Sequence, residues 1–483
     1  VGWLKTPISQ QGADMTNTRQ RQIPSGYPGT AVPGKHLVAV GAALVWAIGL
    51  AAPPLRAEPQ ASDALVPLPA PWTSVFRVDP AHPHHFVNAE GQHLFLLNKT
   101  AWAYFGCKDP LAVVERARSL GATVLRVALE GRPYYDTLQI DLWPWGGTRQ
   151  SPDWNTFNEA YWQQVEERIR LAGERGIGFD LVFYFTLQPT AAEIEKQRPY
   201  WQKILRHLAK YPNVFCWEIA NEYVANETFQ DAAGNFFKTH DPFSRPVCTS
   251  TGTTDNAIWP QKPWVDIAVN HSCTSSTPAH DLEHWYLAVA RNTRSHGKPA
   301  FCNESGREKR HRNDDPVHRR KQAWLWCAAG AYWTWHSWDG CEGINDSTYR
   351  APGEEFIRPL ADFFRSVPFW EMSPNYVRCL IEDRTLVHTT LATTDGRSLL
   401  TYVCTRESGK VVQGARATVR LAQGTYTVRF LRPADLHVLA EQRLAFQGLA
   451  KPFALSLPQF RDDLLILMQS AGKTVEGKMP GTD

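Results

Sequence analysis

Residues 214–222, VFCWEIANE, decide how the rest of this chain is read. Four of the first five are hydrophobic and none of the nine is Gly or Pro, so the run fits a short strand buried on both faces, as in a parallel sheet. It ends abruptly in Asn221 and Glu222. A carboxylate at that point needs a reason, and a (β/α)8 barrel supplies one, because such barrels carry their chemistry at the C-terminal ends of their strands. Glu218, inside the run, is expected to point away from the side that Glu222 takes and to serve as scaffold.

Working outward, strand-like and helix-like segments alternate from residue 75, the signature of a parallel α/β architecture. Candidate strands fall at residues 93–97, 123–128, 178–185, 214–219, 246–250, 265–269, 299–302 and 328–335. Amphipathic runs at 110–120, 159–175, 198–210 and 282–296 lie between them. Eight strands fit one TIM barrel over residues 75–365 better than a doubly wound sheet. Residues 366–376 read as a connector, and 377–469 lose the helical period: in 425–431, Tyr426, Val428 and Phe430 share one side. A small C-terminal antiparallel β-sandwich is expected there, with a polar tail at 470–483.

At the other end, residues 1–34 are polar and aperiodic, which predicts disorder. Residues 35–57 have the layout of a secretory signal: cations before an apolar core too short for a comfortable span, and small residues closing it near Ala57. Export to the periplasm or medium is the expectation, with no stable membrane insertion once the signal is cleaved; an uncleaved anchor is the alternative. Residues 58–74, rich in Pro and Ala, would be a linker.

The chain has 483 residues, and its 51 cationic against 48 acidic side chains leave +3, too balanced to suggest nucleic acid or a membrane surface as partner. Aromatics make up 12%, with 19 Trp, which suits stacking on sugar rings, although most should be core. Nine Cys without a CxxC pair suggest neither a zinc ribbon nor a dense disulfide framework; Cys216, Cys273 and Cys302 read as small buried hydrophobes. No P-loop, dinucleotide fingerprint or nucleophile elbow occurs, and neither a metal nor an organic cofactor is called for. His280, Glu283 and His284 do form H-x-x-E-H, the spacing of an inverted zinc peptidase helix, but the segment occupies the expected helix after strand six and no third ligand is signalled.

A second carboxylate stands where candidate strand seven ends, Glu304 in KPAFCNESG. Carboxylates at the mouths of strands four and seven would converge, and a retaining glycosidase needs such a pair about 5 Å apart. An ionised Glu304 would raise the pKa of Glu222 by like-charge repulsion and keep it protonated as the acid.

At these residues the sequence resembles a family. W-E-I-x-N-E, at 217–222, is similar to the strand-four motif of clan A retaining glycoside hydrolases, the (β/α)8 enzymes that include the cellulase-like families, and Glu304 matches their strand-seven glutamate. The resemblance implies that Glu222 is the acid/base and Glu304 the nucleophile. It also implies that Asn221 binds the sugar 2-hydroxyl, that Arg126 supports the nucleophile, and that His271 and Trp335 complete the reactive subsite. More narrowly, FLLNKTAW, the run FNEAYWQQVEERIRLAGERGIGFDLVFYF and the terminal β-domain resemble the apiosidase-like glycoside hydrolases, which often carry a C-terminal domain of the "collagen-binding" type. Asn98-Lys99 departs from the acidic residue usual in that group, and Ser272-Cys273 after His271 departs from the cellulase-like His-x-Tyr, which leaves the substrate open.

Trp102, Trp143, Trp145, Trp338 and Tyr134 lie in or near loops after strands one, two and eight and could form sugar platforms, core packing being the other reading. The basic run 307–321 reads as a solvated loop or helix start rather than a subsite for an acidic sugar. The expectation is an exported retaining glycoside hydrolase acting on a plant or microbial poly- or oligosaccharide. The alternative is a carbohydrate-binding or surface-attachment protein on an inactive barrel.

Overall fold

The structure, a computed structural model, describes residues 72–132, 138–222, 226–252, 257–271, 281–308, 314–337 and 350–471. The expected signal, most of the linker and nearly all of the tail lie outside these residues. No helix among them is long and apolar enough to cross a membrane.

Eight parallel strands surround the core: β1 (Leu97–Thr100), β2 (Val124–Ala128), β3 (Gly178–Tyr184), β4 (Val214–Ala220), β5 (Val247–Cys248), β6 (Ala268–Asn270), β7 (Ala300–Cys302) and β8 (Tyr332–Trp335). Every residue in them is buried, which is why the sequence shows apolar runs rather than alternation. They hydrogen-bond in the order β5-β4-β3-β2-β1-β8-β7-β6. Asp266 closes the remaining gap: its N–H donates to the Val247 carbonyl at 2.8 Å and its carboxylate accepts from the Val247 N–H at 2.9 Å. The result is a TIM barrel.

The outer layer contains α1 (Pro110–Ser119), α2 (Glu159–Gly173), α3 (Ile194–Leu208), α4 (Glu227–His240), a π-turn (Glu283–Ala288) running into α5 (Val289–Arg294), α6 (Pro316–Ala328) and α7 (Ile357–Arg365). Local chemistry sets several starts. Asp109 and Asp315 cap helices that have Pro in the first turn, and Asn158 accepts from the Tyr161 N–H. The last part of the basic run, residues 316–321, opens α6 as the helix-start reading expects, but His318, Arg319, Arg320 and Lys321 are buried rather than solvated.

The N-terminal end of the barrel is covered by a three-stranded antiparallel sheet, Arg77–Val78, Phe86–Val87 and His93–Leu94. Phe86 packs on Phe215 and Tyr332 at the starts of β4 and β8. Trp72 lies against Gly178, where a Cβ would come within 2.6 Å of its ring, so that position needs glycine. The predicted first strand at 93–97 is corrected: His93–Leu94 belongs to this floor, and the barrel begins only at Leu97, because the chain crosses from one sheet to the other without a turn signal.

After α7 comes the expected sandwich. One sheet has β9 (Met372–Pro374), β10 (Leu386–Thr393), β11 (Ser398–Thr405), β12 (Gly424–Leu431), β13 (Val438–Phe446) and β14 (Asp463–Ser470), ordered β9-β10-β11-β14-β12-β13; a three-stranded sheet, Cys379–Ile381, Arg416–Val419 and Phe453–Ser456, packs on it. Val403, Val428 and Ile466 face that partner sheet. Leu400, Tyr402 and Leu465 face the other way, into a cluster with Trp324 of α6 and Phe363 and Phe364 of α7. The sandwich and barrel form one compact unit. The seven cysteines described as free, Cys216 and Cys302 among them, are all buried; Cys273 lies outside the described residues.

Candidate active site

Arg126 organises the C-terminal mouth of the barrel. It sits on β2, fully buried, with its side chain pointing to the barrel axis. Its Nε and Nη2 donate to the two Glu218 carboxylate oxygens at 2.8 and 2.6 Å. Nη2 also donates to Asn221 Oδ1 at 2.8 Å and to Ser250 Oγ at 3.2 Å, while Nη1 donates to Glu304 Oε2 at 3.1 Å. One guanidinium thus fixes residues from β4 and from the segments after β4, β5 and β7, using the fork geometry that suits arginine to carboxylates. Glu218 is corrected here: it points inward, towards the same cluster as Glu222. Residues four apart on a strand share a face, and the inward charge is stabilised by Arg126 and by Asn303 Nδ2 at 3.3 Å.

Glu222 follows β4 with φ +52°, a left-handed conformation uncommon outside glycine. Its N–H donates to Ser250 Oγ at 3.2 Å, so the hydroxyl that accepts from Arg126 also holds the unusual backbone turn. Its carboxylate swings towards His271, with Oε1 3.2 Å from Nδ1, and passes Gly252, where a Cβ would stand 3.2 Å from the same oxygen. His271 is fully buried, and its Nε2 has no hydrogen-bond partner among the described residues. Glu304 lies across the mouth. One carboxylate oxygen each from Glu222 and Glu304 and one ring nitrogen of His271 fall within 4.8 Å of one another.

The electrostatics of the open cleft run against the sequence expectation. The His271 hydrogen bond leads the effects that lower the Glu222 pKa, with Arg126 and Arg132 adding to it. Burial raises the Glu304 carboxyl, with Glu222 adding to it. Glu222 keeps 44% of its side chain exposed against 17% for Glu304. The expectation rests on like-charge repulsion alone; unequal solvation and the histidine act as well and move the two carboxyls in the opposite sense.

Several expected residues are placed differently. Trp335 is 1% exposed and lies under the Arg319 guanidinium at 3.8 Å, in the helix layer outside the barrel. The pairing of Thr334 with Asn98, whose side chain reaches Asp180 in the interior, puts the even-numbered residues of β8 inward. His336 therefore takes the position at the mouth, with Nε2 3.6 Å from Glu304 Oε1 and Nδ1 2.9 Å from Thr100 Oγ1. Sequence reading missed it because a strand's facing parity depends on register. Trp102, 3% exposed, is no open platform: its ring lies 4.5 Å from the Arg126 guanidinium and 4.5 Å from the ring of Phe185. Trp143 and Trp145 pack on each other and on Trp154. Trp338 and Tyr134 lie outside the described residues. So does His280, while Glu283 of that motif pairs with Arg406 at 2.6 Å.

Glu130 is a second residue that the sequence reading passed over. Buried beyond the end of β2, its carboxylate accepts from the Phe185, Thr186 and Leu187 N–H groups at 3.0, 2.7 and 3.1 Å and so fixes the loop after β3. Its position in ALEG gave no motif, but an acid following a buried strand was a signal available in principle.

A parallel eight-stranded barrel whose C-terminal mouth holds two facing glutamates, a guanidinium and two imidazoles has the architecture found in glycoside hydrolases. The chain belongs to the family described as Apiosidase-like, catalytic domain, whose sequence model matches residues 81–351. Solved structures share the fold over the barrel and the β-domain together. A glycoside hydrolase family 5 protein from Bacteroides vulgatus superposes with TM-score 0.65 at 16% identity, covering 84% of this chain and 96% of that one. A structure described as a glycoside hydrolase gives 0.64 at 14%, covering 84% and 99%. No curated protein sequence matches the chain.

Proposed function

We propose that this protein is a retaining glycoside hydrolase that works by double displacement, with Glu304 as nucleophile and Glu222 as acid/base. The observation that carries the reading is that one oxygen of each carboxylate comes within 4.8 Å of the other, an approach that suits the close pair of a retaining enzyme. In the first step Glu304 Oε attacks the anomeric carbon while Glu222 gives its proton to the departing glycosidic oxygen. In the second, Glu222 takes a proton from water, the water oxygen attacks the same carbon, and Glu304 leaves. A bound sugar strips water from the half-exposed Glu222, and desolvation favours its neutral, proton-donating form. Arg126 steadies Glu304 as its charge changes, Asn221, whose Oδ1 accepts from Arg126, meets the 2-hydroxyl in this reading, and His336 lies beside the nucleophile. The substrate is a plant or microbial poly- or oligosaccharide, met outside the cytoplasm after export directed by residues 35–57.

The test is a screen of aryl glycosides, apiosides included because of the family's description, and of polysaccharides, followed by product stereochemistry on the first hit. Glu304→Ala and Glu222→Ala should each lower kcat by roughly three orders of magnitude or more. Azide should restore turnover in Glu304→Ala with inversion at the anomeric carbon. Wild-type turnover in either variant, or inversion by the parent enzyme, rejects the mechanism; binding without product release from any glycan favours an inactive barrel.

A further inference from the structure

The sheet that floors the barrel carries four histidines, His82, His84, His85 and His93. Two of them tie it to the barrel: His84 Nδ1 lies 2.9 Å from the Lys298 carbonyl oxygen, and His85 Nδ1 lies 2.8 Å from the Tyr332 hydroxyl. His93 Nε2 lies 2.8 Å from Asp79 Oδ2. The His82 imidazole has no hydrogen-bond partner among the described residues, and this half-buried ring stands edge-on to that of His93 at 5.7 Å.

We infer that Asp79, His82 and His93 form a site for a divalent transition-metal ion with the ligand preferences of zinc. One ligand atom from each lies within 4.8 Å of the other two. Two imidazoles and one carboxylate are a donor set that zinc accepts, at roughly 2.0–2.2 Å from each atom. Tetrahedral bonds of that length place neighbouring ligand atoms roughly 3.4 Å apart, so Asp79 Oδ2 and His93 Nε2, now 2.8 Å apart in a hydrogen bond, need to part only slightly to admit the ion. The His82 ring, held by no hydrogen bond, closes the third side by rotating.

The backbone is arranged to keep these groups together. The Asp79 N–H donates to the His85 carbonyl at 2.9 Å, and the His85 N–H donates to the His82 carbonyl at 2.8 Å. Asp79 Oδ1 is engaged by the Ala81 N–H at 2.8 Å, leaving Oδ2 to face the histidines. Trp370 stacks on His93 at 4.4 Å with planes 2° apart and fixes the orientation of the ring. Asp79 directly follows the first strand of the floor, His82 lies in the turn, and His93 opens the third strand, so an ion here would staple the sheet. This site lies at the barrel end opposite Glu222 and Glu304 and is independent of the proposed hydrolysis.

The experiment uses the chain stripped with a chelator and titrated with zinc alone, followed by calorimetry, metal content and thermal melts. Wild type should take up one zinc per chain and gain about 2–4 °C or more in Tm at saturation. His82→Gln is the decisive variant, because its side chain makes no hydrogen bond whose loss could unfold the floor. It should keep the metal-free Tm within about 2 °C and lose roughly tenfold or more in zinc affinity. His93→Gln should lose the affinity as well. No stoichiometric uptake by wild type overturns the site. Equal affinity in His82→Gln overturns it too, and inhibition of hydrolysis in that case would place the ion on Glu222, His271 and Glu304.

Discussion

Arg126 shares one positive charge among Glu218, Glu304 and the carboxamide of Asn221, and Ser250 sits at the junction of Arg126 and Glu222. Replacing Ser250 by Ala leaves the Glu222 N–H without its acceptor, while Arg126 Nη2 keeps Glu218 and Asn221 for its two hydrogens. Such a buried orphan costs about 1–3 kcal/mol, and part of that loss falls on the positioning of Glu222 at φ +52°. We predict that Ser250→Ala lowers kcat by roughly tenfold to a hundredfold with little change in KM, measured on the first substrate identified. Gly252→Ala is a gentler probe, since its methyl group meets the Glu222 carboxylate at 3.2 Å without touching Arg126. It should displace the acid/base and move the pH profile of kcat/KM while leaving the Tm within about 2 °C; an unchanged profile would separate Gly252 from proton transfer. Glu222 and Glu304 were legible in the sequence as carboxylates ending buried runs, and the roles of Asn221, Arg126 and His271 came from the family resemblance. His336 and Ser250 were not, because their roles follow from inward parity and from a neighbouring strand.

At the scale of elements, α6 does more than cover the barrel. Arg320 donates to both Asp463 oxygens at 2.9 and 2.8 Å, Tyr402 Oη donates to the same carboxylate at 2.9 Å, and Lys321 Nζ donates to the Thr405 and Glu407 carbonyls at 3.0 and 2.9 Å. Arg320, Lys321, Tyr402, Thr405 and Asp463 are all buried where α6 meets β11 and β14, and the exposed Glu407 follows β11. The basic run therefore braces the sandwich. Asp463→Ala strands a buried guanidinium, and chemical denaturation should report a loss of about 3–5 kcal/mol. Removing residues 377–483 uncovers Trp324, Phe363 and Phe364 together with Lys321; the expected outcome is insoluble protein. Soluble, active protein with weaker retention on polymer would make the sandwich a detachable binding module instead. The sandwich was legible from alternation such as Tyr426, Val428 and Phe430. That the main sheet is buried on both faces was not, since the residues between, such as Leu400 and Tyr402, meet a helix from the other domain.

For the whole molecule, burial holds His85 and His336 well below the ordinary imidazole pKa, and lowers His84 and His388 less strongly. The unfolded chain binds protons at these positions from about pH 6.5 downward, whereas the folded chain does not. Their contribution to stability is therefore complete above about pH 6.5 and is lost as the pH falls below it, at up to about 1.4 kcal/mol per pH unit for each histidine that stays neutral. Melting curves should show a level Tm from pH 8 to 6.5 and a decline from 6.5 to 5; a level Tm down to pH 5 would mean that these rings take up protons without unfolding. The sequence by itself determined the barrel, the sandwich and the pair Glu222 and Glu304, because strand periodicity, turn residues and a carboxylate ending a buried run are local signals. Only the tertiary structure decided that Glu218 faces inward, that Trp335 faces outward, that His271 draws Glu222 towards its charged form and that α6 bonds the two domains. Each of these depends on register, burial or a partner distant in sequence, and the energies of ion pairs and of proton affinity are set by such surroundings rather than by the residue alone.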